Sequence, residues 1–79
     1  MRIPRFKTNG IYLSGHKPFR INRRTDHTVW LVKLDQETLA PCAREEQRKI
    51  GVMNGVPKPY EYTLTKRAFI RADRPYNEK

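Results

Sequence analysis

Arginine and lysine side chains crowd the N-terminal part of this chain and are its clearest candidates for binding chemistry. Eight of them fall within residues 1–33, against the single acid Asp26, so this segment carries +7 of the chain's formal charge of +9. Like charges held close together in a small domain repel one another, and guanidinium groups bind phosphate oxygens in pairs. The charge pattern therefore predicts a polyanionic partner, and nucleic acid is the usual one.

The sharpest of these candidates lie on a predicted strand. Apolar and polar residues alternate over 19–23, and if the apolar side chains enter the core, Arg20, Asn22 and Arg24 must lie on the opposite face. Paired with the next strand, this segment would form a two-stranded ribbon narrow enough to enter a major groove. The alternative is a solvated sheet edge, since charged residues also protect edges from aggregation.

A second candidate surface lies near the C-terminus, where Arg67, Phe69 and Arg71 alternate on one face of a predicted strand. An exposed ring between two arginines can stack a base while the guanidinium groups bind phosphates. The alternative is that Phe69 belongs to the core. Together, the two surfaces give six predicted nucleic-acid-binding residues: Lys17, Arg20, Arg23, Arg24, Arg67 and Arg71.

Catalytic and metal-binding motifs are not apparent in the sequence. Cys42, His16 and His27 are the only soft ligands, which is too few for a four-ligand zinc site, and no phosphate loop or dinucleotide fingerprint occurs. We therefore predict no enzymatic activity, no cofactor and no metal, and a plain helical role for Cys42. A ribonuclease that uses His16 and His27 beside arginines is the alternative left open.

The location expected from the sequence is intracellular, in the cytoplasm of a bacterium or of a cell infected by a virus. A single cysteine forms no intramolecular disulfide, and this suits a reducing compartment. The longest apolar run, residues 29–32, is too short to span a membrane. Residues 1–10 lack the apolar stretch of a secretory signal, and Pro4 does not suit an amphipathic transit helix.

The strands are predicted from alternation and turn residues. Asn9 and Gly10 predict the type I′ turn of a first hairpin, and residues 28–34 predict a central strand that pairs with 19–23 in a second hairpin. Residues 60–72 alternate over a long stretch, which predicts one strand or two strands broken near Lys66 and Arg67.

A single helix is predicted over residues 38–50. Pro41 fits the first turn of a helix, and Gly51 can end it as a left-handed cap. The predicted fold class is accordingly α+β: a small antiparallel sheet of two hairpins and a C-terminal strand, with one helix on one face.

The whole chain, residues 1–79, is predicted to form one small basic domain, because a chain of 79 residues supports one core. The ordered core is expected over about 5–72, followed by a polar tail over 73–79. The residues predicted to form the core are Trp30, Val32, Leu34, Leu64 and Ile70.

The function predicted from the sequence is nucleic acid binding through an arginine-rich sheet face. The protein would act alone or within a ribonucleoprotein or transcription assembly, on DNA or RNA, with no membrane and no small-molecule substrate. A different class of function is the alternative: a small viral or bacterial regulator that binds an acidic protein surface, such as that of an RNA polymerase, with positive charge speeding the encounter.

Overall fold

The computed structural model describes residues 3–54, 59–66 and 68–76, and these residues form seven antiparallel strands. One sheet has the order β1-β2-β3-β4 and the other β5-β6-β7. The strands are β1 (Ile11–Ser14), β2 (Lys17–Arg24), β3 (Thr28–Lys33), β4 (Glu46–Lys49), β5 (Gly51–Met53), β6 (Tyr60–Leu64) and β7 (Phe69–Arg71).

The helix predicted over residues 38–50 is wrong, and so is the α+β class. Residues 46–49 form β4, which pairs with β3, and an irregular loop over 35–45 precedes it. That loop turns back along β3, so that Leu34 and Pro41 form a β-bridge. The apolar stripe of this segment is too patchy to bury a helical face, and pairing with β3 satisfies the backbone instead. The part of the chain that the structure describes has no helix able to cross a membrane.

The first hairpin turns later than predicted. Ser14 pairs with Lys17 across a two-residue loop, and Gly15 has a φ of +64°. Glycine at the first position of such a loop is typical of a type II′ turn, which matches the twist of the flanking strands. Asn9 does adopt a left-handed φ of 69°, but the residues before it form no strand.

The two sheets join at both ends into a barrel-like body. The chain passes from β4 to β5 through Ile50, and the Thr63 hydroxyl of β6 donates to the Lys49 carbonyl at 2.8 Å. At the other end, Leu13 of β1 donates its N–H to the Arg74 carbonyl at 3.0 Å, and Tyr76 donates to Ile11 at 2.7 Å. Residues 74–76 of the predicted polar tail therefore complete the first sheet, while 77–79 lie outside the described residues.

The core lies between the two sheets, and the prediction of its members is partly wrong. Val32, Leu34 and Ile70 are buried as expected, but Trp30 is only half-buried and Leu64 is 55% exposed. The principal cluster of buried side chains is Phe6, Tyr12, Phe19, Ile21, Val29, Leu31, Ile70 and Ala72.

A turn explains why Leu64 and Ile70 do not share a face. Residues 60–72 form two strands, and their register sets Thr63 opposite Ile70 and Leu64 opposite Phe69. The first pair is fully buried and the second is exposed. The chain reverses between β6 and β7, so an alternation counted straight through the turn assigns the wrong faces beyond it.

Candidate nucleic-acid interface

A β-bulge in β2 decides where the predicted arginines lie. Ile21 pairs with Leu31 and Arg23 pairs with Trp30, so Asn22 is an extra residue with no partner of its own in β3. A bulge breaks the regular alternation of side chains. Beyond it, Arg23 shares a face with Arg20, and Arg24 turns to the opposite, core-facing side. The predicted face of Arg24 is therefore wrong.

The outward face of the first sheet combines cations with the only tryptophan. The Arg23 guanidinium carbon lies 4.0 Å from the centroid of the Trp30 ring. The pairing of β3 with β4 sets Gln47 opposite Trp30 and Lys49 opposite Thr28, so both β4 side chains belong to this face. The residues of this surface, which we call the outer basic face, are Arg20, Arg23, Trp30, Gln47 and Lys49.

A short polar network fixes one end of the outer basic face. Arg20 Nε donates to Asn22 Oδ1 at 3.1 Å, and Asn22 Nδ2 donates to Glu45 Oε2 at 2.7 Å. The amide orients both Arg20 and the end of the 35–45 loop. Glu45 is joined to this face through Asn22, yet within the described ranges neither Arg20, Arg23 nor Lys49 forms an ion pair. The cationic charge of the face is therefore not neutralised locally.

Arg24 has a structural partner instead. Its guanidinium contacts both carboxylate oxygens of Glu61, with Nη1 2.6 Å from Oε1 and Nη2 3.1 Å from Oε2. Nη1 also donates to the Phe6 carbonyl at 2.9 Å, and Nε donates to the Thr25 carbonyl at 3.0 Å. The Arg24 and Glu61 side chains are only 12% and 5% exposed. With so many of its donors engaged, Arg24 is not available as a surface phosphate ligand.

Glu61 joins the N-terminal segment to the second sheet. Burial raises the pKa of this carboxyl, but hydrogen bonds from Arg24 and from the Phe6 N–H outweigh burial and hold the pKa below its usual range. The Phe6 N–H donates to Oε1 at 2.9 Å, and Arg5 Nε lies 3.4 Å from Oε2. The carboxylate thus remains charged in a buried site because donors surround it.

The second predicted surface, that of Arg67, Phe69 and Arg71, differs from the prediction because Arg71 forms an ion pair with a nearby acid. Arg71 donates to both Asp73 carboxylate oxygens, at 2.8 and 2.7 Å, and its guanidinium lies 4.2 Å from the centroid of the Tyr60 ring. Phe69 is exposed, as base stacking would need, but its ring packs against that of Tyr62, with the two ring centroids 5.4 Å apart. Arg67 lies outside the described residues.

Lys17 lies apart from Arg20 and Arg23. The alternation along β2 puts it on the same side as Phe19, at the end of the core-facing side, where it lines a pocket with Lys33 and Lys66. The five predicted residues that the structure describes therefore do not form one surface. Among these five, only Arg20 and Arg23 are brought together.

The two histidines of the ribonuclease alternative lie far apart in the structure. His16 and His27 flank opposite ends of the eight-residue β2, which puts them roughly 25 Å apart at the usual rise per residue. That distance is too great for them to act on one bond. Cys42 is exposed, and the described residues contain no group of three or more His, Cys, Asp or Glu side chains placed to hold a metal ion.

No protein-family model, curated protein or solved structure matches this chain.

Sequence reasoning missed three residues that matter here. Trp30 was expected in the core, Lys49 on a helix, and Glu61 was assigned no role. Lys49 had no usable strand signal, since residues 46–49 are all polar and show no alternation. Nothing in the sequence pairs Glu61 with Arg24, because 37 residues separate them.

Proposed function

We propose that this protein binds nucleic acid through the outer basic face. The observation that carries the proposal is the stack of Arg23 on Trp30, with Arg20 and Lys49 on the same side of the sheet. A guanidinium held over an indole presents its outer plane to solvent, and a base can stack on that plane. The neighbouring cations are then placed to bind the phosphates on either side of the base.

The balance of charge in the described part of the chain supports this choice of surface. Ion pairs engage Arg5, Arg24, Arg48 and Arg71 with acidic side chains. Arg20, Arg23 and Lys49 have no such partner, so a polyanion would gain their full attraction without first displacing a carboxylate. An intracellular location is part of the same proposal.

The test is a titration of Trp30 fluorescence with single-stranded and duplex oligonucleotides at several salt concentrations. Trp30 is the only tryptophan, so quenching reports directly on this face. If three cations meet phosphates, the slope of log K against log salt is about −2 for single strands and about −3 for duplex. We expect single strands to quench more strongly, because their bases are free to stack.

Matched variants locate the surface. Arg23→Ala and Lys49→Ala should each flatten the salt slope by roughly 0.7 to 0.9, whereas Arg74→Ala, an exposed arginine outside the outer basic face, should leave it unchanged. Absence of binding to either oligonucleotide at low salt would refute the proposal. An equal effect of Arg74→Ala would refute the choice of surface.

The second candidate function is that of a regulator that binds another protein. One observation favours it: among the described residues, the large exposed apolar side chains, Val52, Met53, Leu64 and Phe69, all lie in the second sheet, and the register puts the last three on the same face. Clustered exposed apolar residues are typical of protein-binding surfaces. In that case, affinity for oligonucleotides should be negligible at about 0.15 M salt. A polar substitution at Phe69 should then abolish binding to the partner protein, while Arg23→Ala preserves that binding.

A further inference from the structure

A pocket of about 340 Å³ lies at one end of the barrel-like body, away from the outer basic face. Three lysines from three parts of the chain reach it: one begins β2, one ends β3, and one lies in the turn after β6. Its principal lining residues are Lys17, Phe19, Lys33, Ala43, Lys66 and Ala68. We call it the lysine pocket. Its volume is within the range typical of small-molecule sites.

The lysine pocket has unbalanced positive charge. Among the described residues of its lining, Glu46 is the only acid, and Arg48 binds that carboxylate through two nitrogens, at 2.9 and 2.6 Å. Lys17, Lys33 and Lys66 make no ion pair within the described ranges. Three ammonium groups and one carboxylate leave the lining with a charge of +2.

Acids in the neighbouring hollow do not neutralise these lysines. Lys17 and Lys33 also border a second pocket that contains Asp35 and Glu37. The Asp35 carboxylate accepts hydrogen bonds from the Glu37 and Thr38 N–H groups, at 2.8 and 3.0 Å, so it stabilises the loop. Neither acid forms an ion pair with a lysine in the part of the chain that the structure describes.

We infer that the lysine pocket binds a phosphomonoester carried on a nucleoside. Such a phosphate has a charge of about −1.5 to −2 near pH 7, which matches the +2 of the lining, whereas a phosphodiester within a strand has a single charge. Lysine ammonium groups bind phosphate as compact point charges. The walls formed by Phe19, Ala43 and Ala68 are apolar and can contact the sugar or the base.

Two sources supply this chemistry: the phosphorylated end of a strand and a free nucleotide. The first rests on the proposed function and adds to it a preference for strand ends. The experiment compares, by fluorescence anisotropy, oligonucleotides of one sequence that carry a 5′-phosphate, a 3′-phosphate or hydroxyls at both ends. We expect one phosphorylated end to bind about tenfold tighter than the hydroxyl end.

Variants assign this preference to the pocket. Lys66→Ala and Lys33→Gln should each reduce the tenfold preference for the phosphorylated end to about threefold or less. Circular dichroism confirms that both variants are folded. Lys49→Ala, the matched lysine on the outer basic face, should weaken binding to all ends alike and keep the preference. Equal affinity for phosphorylated and hydroxyl ends, with binding otherwise intact, overturns the strand-end source but not the proposed function.

Adenosine monophosphate, compared with adenosine, tests the free-nucleotide source by calorimetry or by chemical-shift changes. Binding of the monophosphate that is lost in Lys66→Ala supports the pocket even if no oligonucleotide binds, so the two proposals can fail separately. Absence of both monophosphate binding and an end preference overturns the inference.

Discussion

Replacement of Arg24 by alanine tests the most consequential contact in the structure. The Arg24 guanidinium contacts both oxygens of Glu61, at 2.6 and 3.1 Å, and the Glu61 side chain is 5% exposed. In Arg24→Ala the carboxylate stays buried and loses its principal cationic partner. Only the Phe6 N–H at 2.9 Å and the more distant Arg5 nitrogen at 3.4 Å remain.

The expected loss in the free energy of unfolding is about 3–5 kcal/mol, the usual cost of removing one partner from a buried ion pair. A domain of this size has only a few kcal/mol of stability, so Arg24→Ala should be largely unfolded at 25 °C. Arg24→Lys keeps the charge but not the two-pronged geometry, and should lose about 1–2 kcal/mol. The control is Arg20→Ala on the outer basic face, which should change stability by about 0.5 kcal/mol or less.

The pH dependence follows from the direction of the Glu61 pKa. Burial raises the pKa of Glu61, but the hydrogen bonds from Arg24 and Phe6 lower it by a larger amount. The pKa of Glu61 in the folded state therefore lies below the unfolded value of about 4.3. The stabilisation is therefore fully present above about pH 4.3 and is lost as the pH falls through the folded-state pKa. In Arg24→Lys the hydrogen bonds to Glu61 are weaker, so the folded-state pKa of Glu61 is higher than in the wild type. The difference in the free energy of unfolding between this variant and the wild type should therefore become smaller as the pH falls.

The measurement is urea unfolding followed by circular dichroism, at pH 7 and at a series of acidic pH values. The expected result is contradicted if Arg24→Ala is as stable at pH 7 as Arg20→Ala. It is also contradicted if the stability difference between wild type and Arg24→Lys stays constant across the acidic range in which Glu61 becomes protonated. Either result would mean that the Glu61 carboxylate does not depend on Arg24.

Two further predictions follow from burial and exposure. Trp30→Ala should cost about 2–3 kcal/mol, less than the about 3–5 kcal/mol for a fully buried aromatic, because the Trp30 side chain is only partly buried. A loss of about 4 kcal/mol or more in urea unfolding would mean that the ring belongs to the core. Cys42→Ser should change the free energy of unfolding by about 0.5 kcal/mol or less and leave oligonucleotide affinity within about twofold, because Cys42 is exposed; sensitivity of the wild type to a chelator would contradict this.

Local alternation was a reliable guide where a strand was regular. The prediction of strands over 19–23 and 28–34 is confirmed by β2 and β3, and the alternative of two strands within 60–72 is confirmed by β6 and β7. These strands were recognised from short stretches of apolar residues, which alternate with polar residues over 19–23 and 60–64 and run continuously over 29–32. The antiparallel character of the sheet is confirmed as well.

The prediction of a helix over 38–50 was wrong because the residues that indicated it act only locally and weakly. A proline in the first turn and a glycine at the end are compatible with a helix, but an amphipathic face is what stabilises one in a protein. Residues 46–49 instead complete the first sheet beside β3. Helical propensity differs by less than about 1 kcal/mol per residue among ordinary residues, so long-range pairing readily overrides it.

The sequence by itself determined the excess of positive charge, the lack of an intramolecular disulfide in this chain and most of the strands, because these depend on residue types and on short-range periodicity. Only the tertiary structure decided what each cation does. A one-residue bulge at Asn22 turned Arg24 inward to Glu61, 37 residues away, and left Arg23 on Trp30. Three lysines distant in sequence converged on one pocket. The face on which a side chain lies and its long-range partners depend on strand register and on where the chain reverses. A short stretch of sequence determines neither the register nor the reversal.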